Sequence, residues 1–280
     1  MSYKLNNVFR SILQLGATLF AFAVLSPCVA QVEIPEDLLA DEHIREEFGI
    51  NDFTTPSIGK LFTDLEDLGK MPYEVLKRDF EKQRPPSDRS LMALNLGVLI
   101  ADGFLVVHCE KVDELEPIGK AILNNAKALG ARDRVSRHAN SLLEGSLLAD
   151  WSGLRQELSK TQADVEAEML LLRDSEIAHL ISLGGWVRAF QIASTTAAQS
   201  YTPEKARKLG RVDIVDYYLM GLEGLHPTLQ KKEHIQKLRT GITEIRDLLD
   251  VPQGIAFQHK EVQALQKAAD ELVAVLTTKR

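Results

Sequence analysis

Two long apolar segments constrain the fold of this 280-residue chain more than any other feature. They span residues 91–107 and 177–198, and the first is apolar on nearly every side of a helix. A helix of this kind is either buried at the centre of a protein or spans a membrane. Asp102, near the middle of the first segment, argues against a span, because a carboxylate at the bilayer centre costs about 2.5–3.5 kcal/mol on insertion scales.

The second segment contains the adjacent glycines Gly184 and Gly185. Each glycine inside a helix costs roughly 1 kcal/mol of helix propensity relative to alanine. This cost is offset where a neighbouring helix needs close backbone approach. We therefore expect the two apolar helices to pack on each other and to form the core.

The rest of the chain also has helical periodicity. Apolar residues recur at three- and four-residue spacing, as at Leu61, Leu65 and Leu68, and no alternating strand pattern of useful length appears. Capping residues predict helix starts at Thr55, Asp174 and Thr202. The sequence therefore predicts an all-α, irregular bundle of about ten helices without a significant sheet. Breaks are predicted at residues 49–55, 70–72, 84–87, 130, 224–227 and 251–254.

The Pro85-Pro86 pair is the best internal boundary. Helices before it are predicted to be short and charged, whereas those after it are longer and more apolar. We predict a signal peptide at residues 1–30, an N-terminal helical arm at 31–84 and a main all-helical domain at 85–280.

The first thirty residues have the three parts of a secretory signal peptide. Lys4 and Arg10 form a basic start, residues 11–25 are almost unbroken apolar sequence, and small residues lead to Ala30. We expect cleavage after Ala30 and a mature protein in the periplasm or outside the cell, with no transmembrane span of its own. One alternative is a lipoprotein acylated at Cys28, although the proline before it fits a lipobox poorly, and another is a retained N-terminal membrane anchor.

The mature chain would contain a single cysteine, Cys109, and so no internal disulfide. Its neighbours predict a half-buried packing thiol. A reactive thiol paired with His108 is the alternative, but adjacent helix positions point about 100° apart.

The mature chain is acidic. The predicted leader removes two of the 33 basic residues and none of the 40 acidic ones, which leaves a charge of −9 with histidine neutral. This balance argues against nucleic acid or an anionic membrane surface as the main partner. The expected partner is an unidentified protein or small molecule.

Polar residues share a face on each core helix. Asn95 and Asp102 fall about 20° apart on a helix wheel, and Arg188, Gln191 and Thr195 span about 60°. A buried carboxylate requires a partner, and Arg188 is the natural candidate. Three interpretations remain open: a structural ion pair that sets the helix register, a small-ligand pocket lined by Asn95, Asp102, Arg188 and Gln191, or polar residues that do not meet.

A Glu-x-x-His pattern occurs at Glu176 and His179 and again at Glu223 and His226. Ferritin-like bundles use this spacing in di-metal sites. Chance produces such pairs readily in a chain this rich in glutamate, and the second pair is predicted to lie at a helix end. Glu176 and His179 therefore remain weak metal-site candidates, and no other cofactor is expected.

Two segments are locally basic. Solvated helix faces are the default interpretation, and contact with an anion or an acidic partner is the alternative. Their residues are Lys127, Arg132, Arg134, Arg137 and His138 in the first, and Lys231, Lys232, His234, Lys237 and Arg239 in the second.

The sequence contains no nucleophile elbow, phosphate loop, zinc-protease helix or paired-cysteine motif. The leading hypothesis is therefore an exported, non-enzymatic binding or scaffold protein. The alternative is a helical-bundle metalloprotein or small-ligand enzyme that uses the polar residues of the two core helices.

The predicted leader can be tested through the N-terminus of the exported protein. Mass spectrometry should show an N-terminus at Gln31, free or cyclised, without a lipid. A diacylated or triacylated Cys28 would contradict this and place the protein on a membrane.

Overall fold

A computed structural model of the chain describes residues 58–131, 150–171, 174–252 and 255–277. Within these residues every regular element is an α-helix, which confirms the predicted all-α fold. The described helices are α1 (Ile58–Glu66), α2 (Tyr73–Leu76), α3 (Arg89–His108), α4 (Val112–Leu129), α5 (Trp151–Leu171), α6 (Ser175–Gln199), α7 (Pro203–Arg207), α8 (Val212–Gly224), α9 (Pro227–Gln230), α10 (Glu233–Leu249) and α11 (His259–Thr277).

Helices α3 and α6 are the two predicted core helices, and they make the most extensive contact in the structure. Helices α4, α5 and α11 pack on α3, while α1, α5 and α11 pack on α6. Helix α10 covers α11, and α8 packs on α10. Of the described helices, α3 alone is long and apolar enough to cross a membrane, and its apolar stretch is wholly buried inside the protein, as in the core helix of a globular domain.

Glycines bring the backbones of α3 and α6 into direct contact. A Cβ atom on Gly97 would lie 1.9 Å from the carbonyl oxygen of Ile181, and one on Gly184 would lie 2.0 Å from that of Leu94. Real Cβ atoms do not approach backbone this closely. The close approach predicted from Gly184 and Gly185 is therefore present, and Gly97 supplies the matching small residue on α3.

Local chemistry explains where the helices begin and end. Asp88 caps α3 by accepting a hydrogen bond from the Leu91 amide at 3.0 Å, and Thr202 caps α7 by accepting one from Lys205 at 3.3 Å. Gly130 ends α4 in the left-handed conformation, with φ of 103°. Asp174 precedes α6 as predicted, but its carboxylate accepts hydrogen bonds from Arg89 instead of capping the helix.

The described part of the predicted N-terminal arm contributes to the main core. Phe62, Leu68 and Phe80 are buried in the same apolar cluster as α3 and α6. The boundary at Pro85-Pro86 remains a prediction. The predicted signal peptide, including Cys28 and Ala30, lies outside the described residues.

The close crossing of α3 and α6 predicts that replacing its glycines destabilises the protein. Gly97→Ala and Gly184→Ala should each lower the free energy of unfolding by about 1–3 kcal/mol, because a methyl group must push two helix backbones apart. Gly119→Ala is the matched control, since a Cβ atom there would have no described neighbour within 4 Å and alanine favours the helix. Urea denaturation measures all three, and an unchanged Gly97→Ala midpoint would contradict the close crossing.

Candidate functional site

The buried carboxylate of Asp102 lies between two guanidinium groups. Arg188 Nε donates to Asp102 Oδ1 at 2.7 Å, and Arg78 Nη1 donates to Oδ2 at 2.6 Å. The Asp102 side chain is 0% exposed, and those of Arg188 and Arg78 are 2% and 14% exposed. The predicted Asp102–Arg188 pair is therefore present, and Arg78 joins it in a cluster that we call the Arg–Asp–Arg triad.

The other nitrogen atoms of the Arg188 guanidinium also have hydrogen-bond partners. Its Nη2 donates to the Leu76 carbonyl at 2.6 Å, and its Nη1 donates to Gln191 Oε1. Gln191 in turn donates to Asp270 on α11 at 2.6 Å. The network thus connects the end of α2 with α3, α6 and α11, and it satisfies the polar groups that burial would otherwise penalise.

Asn95 lies outside this network. Its amide donates to Asn125 Oδ1 on α4 at 3.2 Å, and Asn125 donates to the Ala121 carbonyl at 2.9 Å. Asn95 Oδ1 and Thr195 Oγ1 are buried without a hydrogen-bond partner among the described residues. The four residues predicted to line one polar pocket therefore fall into two separate clusters. This arrangement favours the structural interpretation of Asp102 and Arg188 over the pocket.

The two weak metal candidates face different surroundings. The Glu176 carboxylate accepts a hydrogen bond from the backbone amide of His226. The His179 ring contacts those of Tyr217 and Tyr218 with centroids 5.7 Å away in each case, and its Nε2 is buried without a hydrogen-bond partner in the described part of the chain. Among the described residues, no group of three His, Cys, Asp or Glu side chains is arranged to hold a metal ion.

The imidazole of His179 is held neutral by its surroundings. Burial lowers its pKa from 6.5 to about 4. Between these two values the unfolded chain binds more protons than the native protein, so this residue makes stability rise with pH through that window. The second Glu-x-x-His pair lies at a helix end, as predicted, because α8 stops at Gly224 and His226 caps α9.

Ser90, His234 and Asp88 form a cluster that superficially resembles a catalytic triad. Ser90 Oγ lies 2.8 Å from His234 Nε2 and 2.5 Å from Asp88 Oδ1. A catalytic triad places its aspartate on the opposite ring nitrogen, Nδ1, whereas Asp88 Oδ1 lies 3.6 Å from the same Nε2. Ser90 is also 0% exposed, so a substrate carbonyl has no route to its hydroxyl.

The cluster instead joins the first turns of α3 and α10. Lys232, directly before α10, donates to Asp88 Oδ2 at 2.6 Å. Burial raises the pKa of Asp88, but hydrogen bonds from Lys232, Ser90 and the Leu91 amide outweigh it and hold that pKa well below its usual range. Asp88 was not among the predicted site residues, although an aspartate just before an apolar helix is a recognisable capping signal.

Several of the predicted basic residues therefore have structural partners. Lys232 and His234 belong to the Asp88 cluster, and Lys237 pairs with Glu233 at 2.8 Å. Of the first basic segment, Lys127 lies in the last turn of α4. The other members, Arg132, Arg134, Arg137 and His138, lie outside the described residues.

Cys109 is half-buried at the end of α3, as predicted for a packing thiol. Burial raises its pKa, which keeps it in the protonated, weakly nucleophilic form. His108 lies 3.6 Å from Glu66, which gives its ring a carboxylate partner. These surroundings do not activate the thiol.

An apolar cavity of about 340 Å³ opens beside α1 and α6, and we call it the α1–α6 cavity. Trp186 and Phe190 stack there with ring centroids 5.4 Å apart. Charged residues also contribute to the lining, and Lys208 pairs with Asp67 at 2.6 Å. The lining residues are Leu61, Leu65, Asp67, Leu68, Trp186, Ala189, Phe190, Ala193, Lys208, Leu209, Arg211 and Ile214.

No sequence feature marked this cavity in advance. Trp186, Phe190 and the leucines of α1 have the spacing of ordinary core residues, and only the packing of the helices leaves space between them. Comparisons with protein-family models, curated proteins and solved structures found no match. The roles proposed below therefore rest on the geometry of this chain.

The Arg–Asp–Arg triad is expected to contribute to the free energy of unfolding. Asp102→Ala should cost about 3–5 kcal/mol of unfolding free energy, because it leaves buried guanidinium charge uncompensated. Arg188→Ala should cost a similar amount, and the double variant should cost much less than the sum, since each change already removes the shared interaction.

Glu116→Ala is the control, because Glu116 and Lys120 form an exposed pair whose loss should leave stability nearly unchanged. Chemical denaturation measures all four variants. An unchanged or raised stability of Asp102→Ala would contradict a structural role for the carboxylate.

Proposed function

We propose that this chain is an exported, non-enzymatic binding protein that holds a small, mainly apolar molecule in the α1–α6 cavity. The observation that carries the proposal is the cavity itself. Its volume of about 340 Å³ lies in the range of small-molecule sites, which are typically about 300–1,000 Å³ and mainly apolar with a few polar groups.

The aromatic wall of the cavity supports this choice. Trp186 stacks on Phe190 and also contacts Tyr218, with ring centroids 5.1 Å apart. These contacts hold the indole in place before a ligand arrives, which lowers the entropic cost of binding. Lys208 and Arg211 add polar groups to the lining. The apolar part of a ligand would pack on the aromatic wall, and its polar end would lie near Lys208 and Arg211.

The reactive groups buried among the described residues favour binding over catalysis. The Asp102 carboxylate is occupied by two guanidinium groups, and Ser90 is buried beneath its histidine and aspartate partners. The metalloprotein alternative would need ligands beyond Glu176 and His179, since the described residues contribute no third one.

Trp186 supplies a direct test. The chain contains two tryptophans, so Trp151→Phe leaves Trp186 as the sole tryptophan. Titration with the apolar fluorophore N-phenyl-1-naphthylamine should quench Trp186 emission by energy transfer and saturate at micromolar concentration. In this background, Ala193→Leu and Ala189→Leu should each weaken binding at least tenfold, because the added side chain fills the cavity.

Ala163→Leu is the matched control, because Ala163 is exposed on α5 and should leave the affinity unchanged. Thermal melts establish that each variant is folded. If both cavity-filling variants bind the fluorophore as tightly as the parent, the α1–α6 cavity is not the binding site.

A further inference from the structure

The Arg–Asp–Arg triad carries unbalanced charge. Two guanidinium groups share the single carboxylate of Asp102, which leaves one net positive charge. Arg188 is enclosed, but Arg78 is 14% exposed and lines a second cavity of about 520 Å³, which we call the Arg78 cavity. Excess charge next to a low-dielectric core favours a counter-ion.

Arg78 has donor capacity left for such an ion. Its Nη1 binds Asp102, and within the described residues no second carboxylate lies at ion-pair distance from its guanidinium. Arg188, in contrast, bonds through Nε, Nη1 and Nη2. A guanidinium with a free edge is well suited to bind a carboxylate.

Part of the wall of the Arg78 cavity carries negative charge, opposite to that of Arg78. Asp113 and Glu114 lie in the first turn of α4 and both line the cavity. Neither has an ion-pair partner among the described residues. The full lining is Lys77, Arg78, Asp79, Phe80, Glu81, Asp113, Glu114 and Pro117.

Two other charged groups of the lining already have ion-pair partners. Lys77 pairs with Glu74 at 2.6 Å, and Asp79 pairs with Lys82 at 3.2 Å. A simple anion would be repelled by the acidic wall, and a simple cation would be repelled by Arg78. A molecule with both charges matches both surfaces.

We propose that the Arg78 cavity binds a small zwitterion, with its carboxylate on Arg78 and its ammonium group on Asp113 and Glu114. The ligand class is that of free amino acids and short amino-carboxylic acids. The site is separate from the α1–α6 cavity and stands on different residues, so it does not depend on the function proposed above.

Isothermal titration calorimetry of the full mature chain tests the proposal. The probes are glycine, 4-aminobutyrate and 6-aminohexanoate, with acetate and n-butylamine as singly charged controls. At least one amino acid should bind ten times more tightly than either control compound. Equal affinity for the amino acids and acetate, or no heat from any amino acid at millimolar concentration, would overturn the proposal.

Variants test the roles of Arg78 and of the two acidic residues separately. Arg78→Gln should abolish binding of the amino acid, and it leaves Asp102 paired with Arg188, so the core keeps its ion pair. Asp113→Asn combined with Glu114→Gln should weaken binding of the amino acid at least tenfold but should not weaken binding of acetate, because it removes the carboxylates that repel a simple anion. Glu116→Gln, on the same helix and outside the cavity lining, is the control and should bind normally. Binding that survives Arg78→Gln would overturn the assignment.

Discussion

The crossing of α3 and α6 is the constraint from which the positions of the neighbouring helices follow. A carbonyl oxygen of α6 occupies the space that a Cβ atom would fill on Gly97 of α3, and a carbonyl oxygen of α3 does the same at Gly184 of α6. This contact sets the distance between the two helices, because backbone cannot yield as a flexible side chain does. About one turn further along each helix stand Asp102 and Arg188, whose 2.7 Å hydrogen bond requires that distance.

The buried ion cluster extends this constraint to the surrounding helices. Arg78 and the Leu76 carbonyl bring the segment before α3 onto Asp102 and Arg188. Gln191 carries the network to Asp270 on α11. Apolar packing alone tolerates sliding of one helix along another, whereas directional bonds to one carboxylate specify a single register. The contacts of Asp102 and Arg188 therefore fit a structural role.

The two cavities differ in chemistry because they border different parts of this architecture. The α1–α6 cavity lies beside apolar and aromatic residues such as Trp186 and Phe190, so its strongest interactions would be with apolar surface. The Arg78 cavity borders the charged triad and the acidic first turn of α4. The two proposed ligands differ accordingly, with an apolar molecule in the α1–α6 cavity and a zwitterion in the Arg78 cavity.

Local sequence patterns were enough to predict the helical class, the two core helices, the close approach at Gly184 and the pairing of Asp102 with Arg188. These follow from periodicity, glycine placement and the cost of burying one charge without another. Which other residues contact the Asp102–Arg188 pair, and which do not, depends on how the helices pack in three dimensions. Arg78 and Asn125 lie in segments whose local pattern gives no reason to place them beside Asp102 and Asn95. The cavities were likewise beyond prediction, because a cavity is space left between helices, and a residue that lines one has the same periodicity as a residue that fills the core.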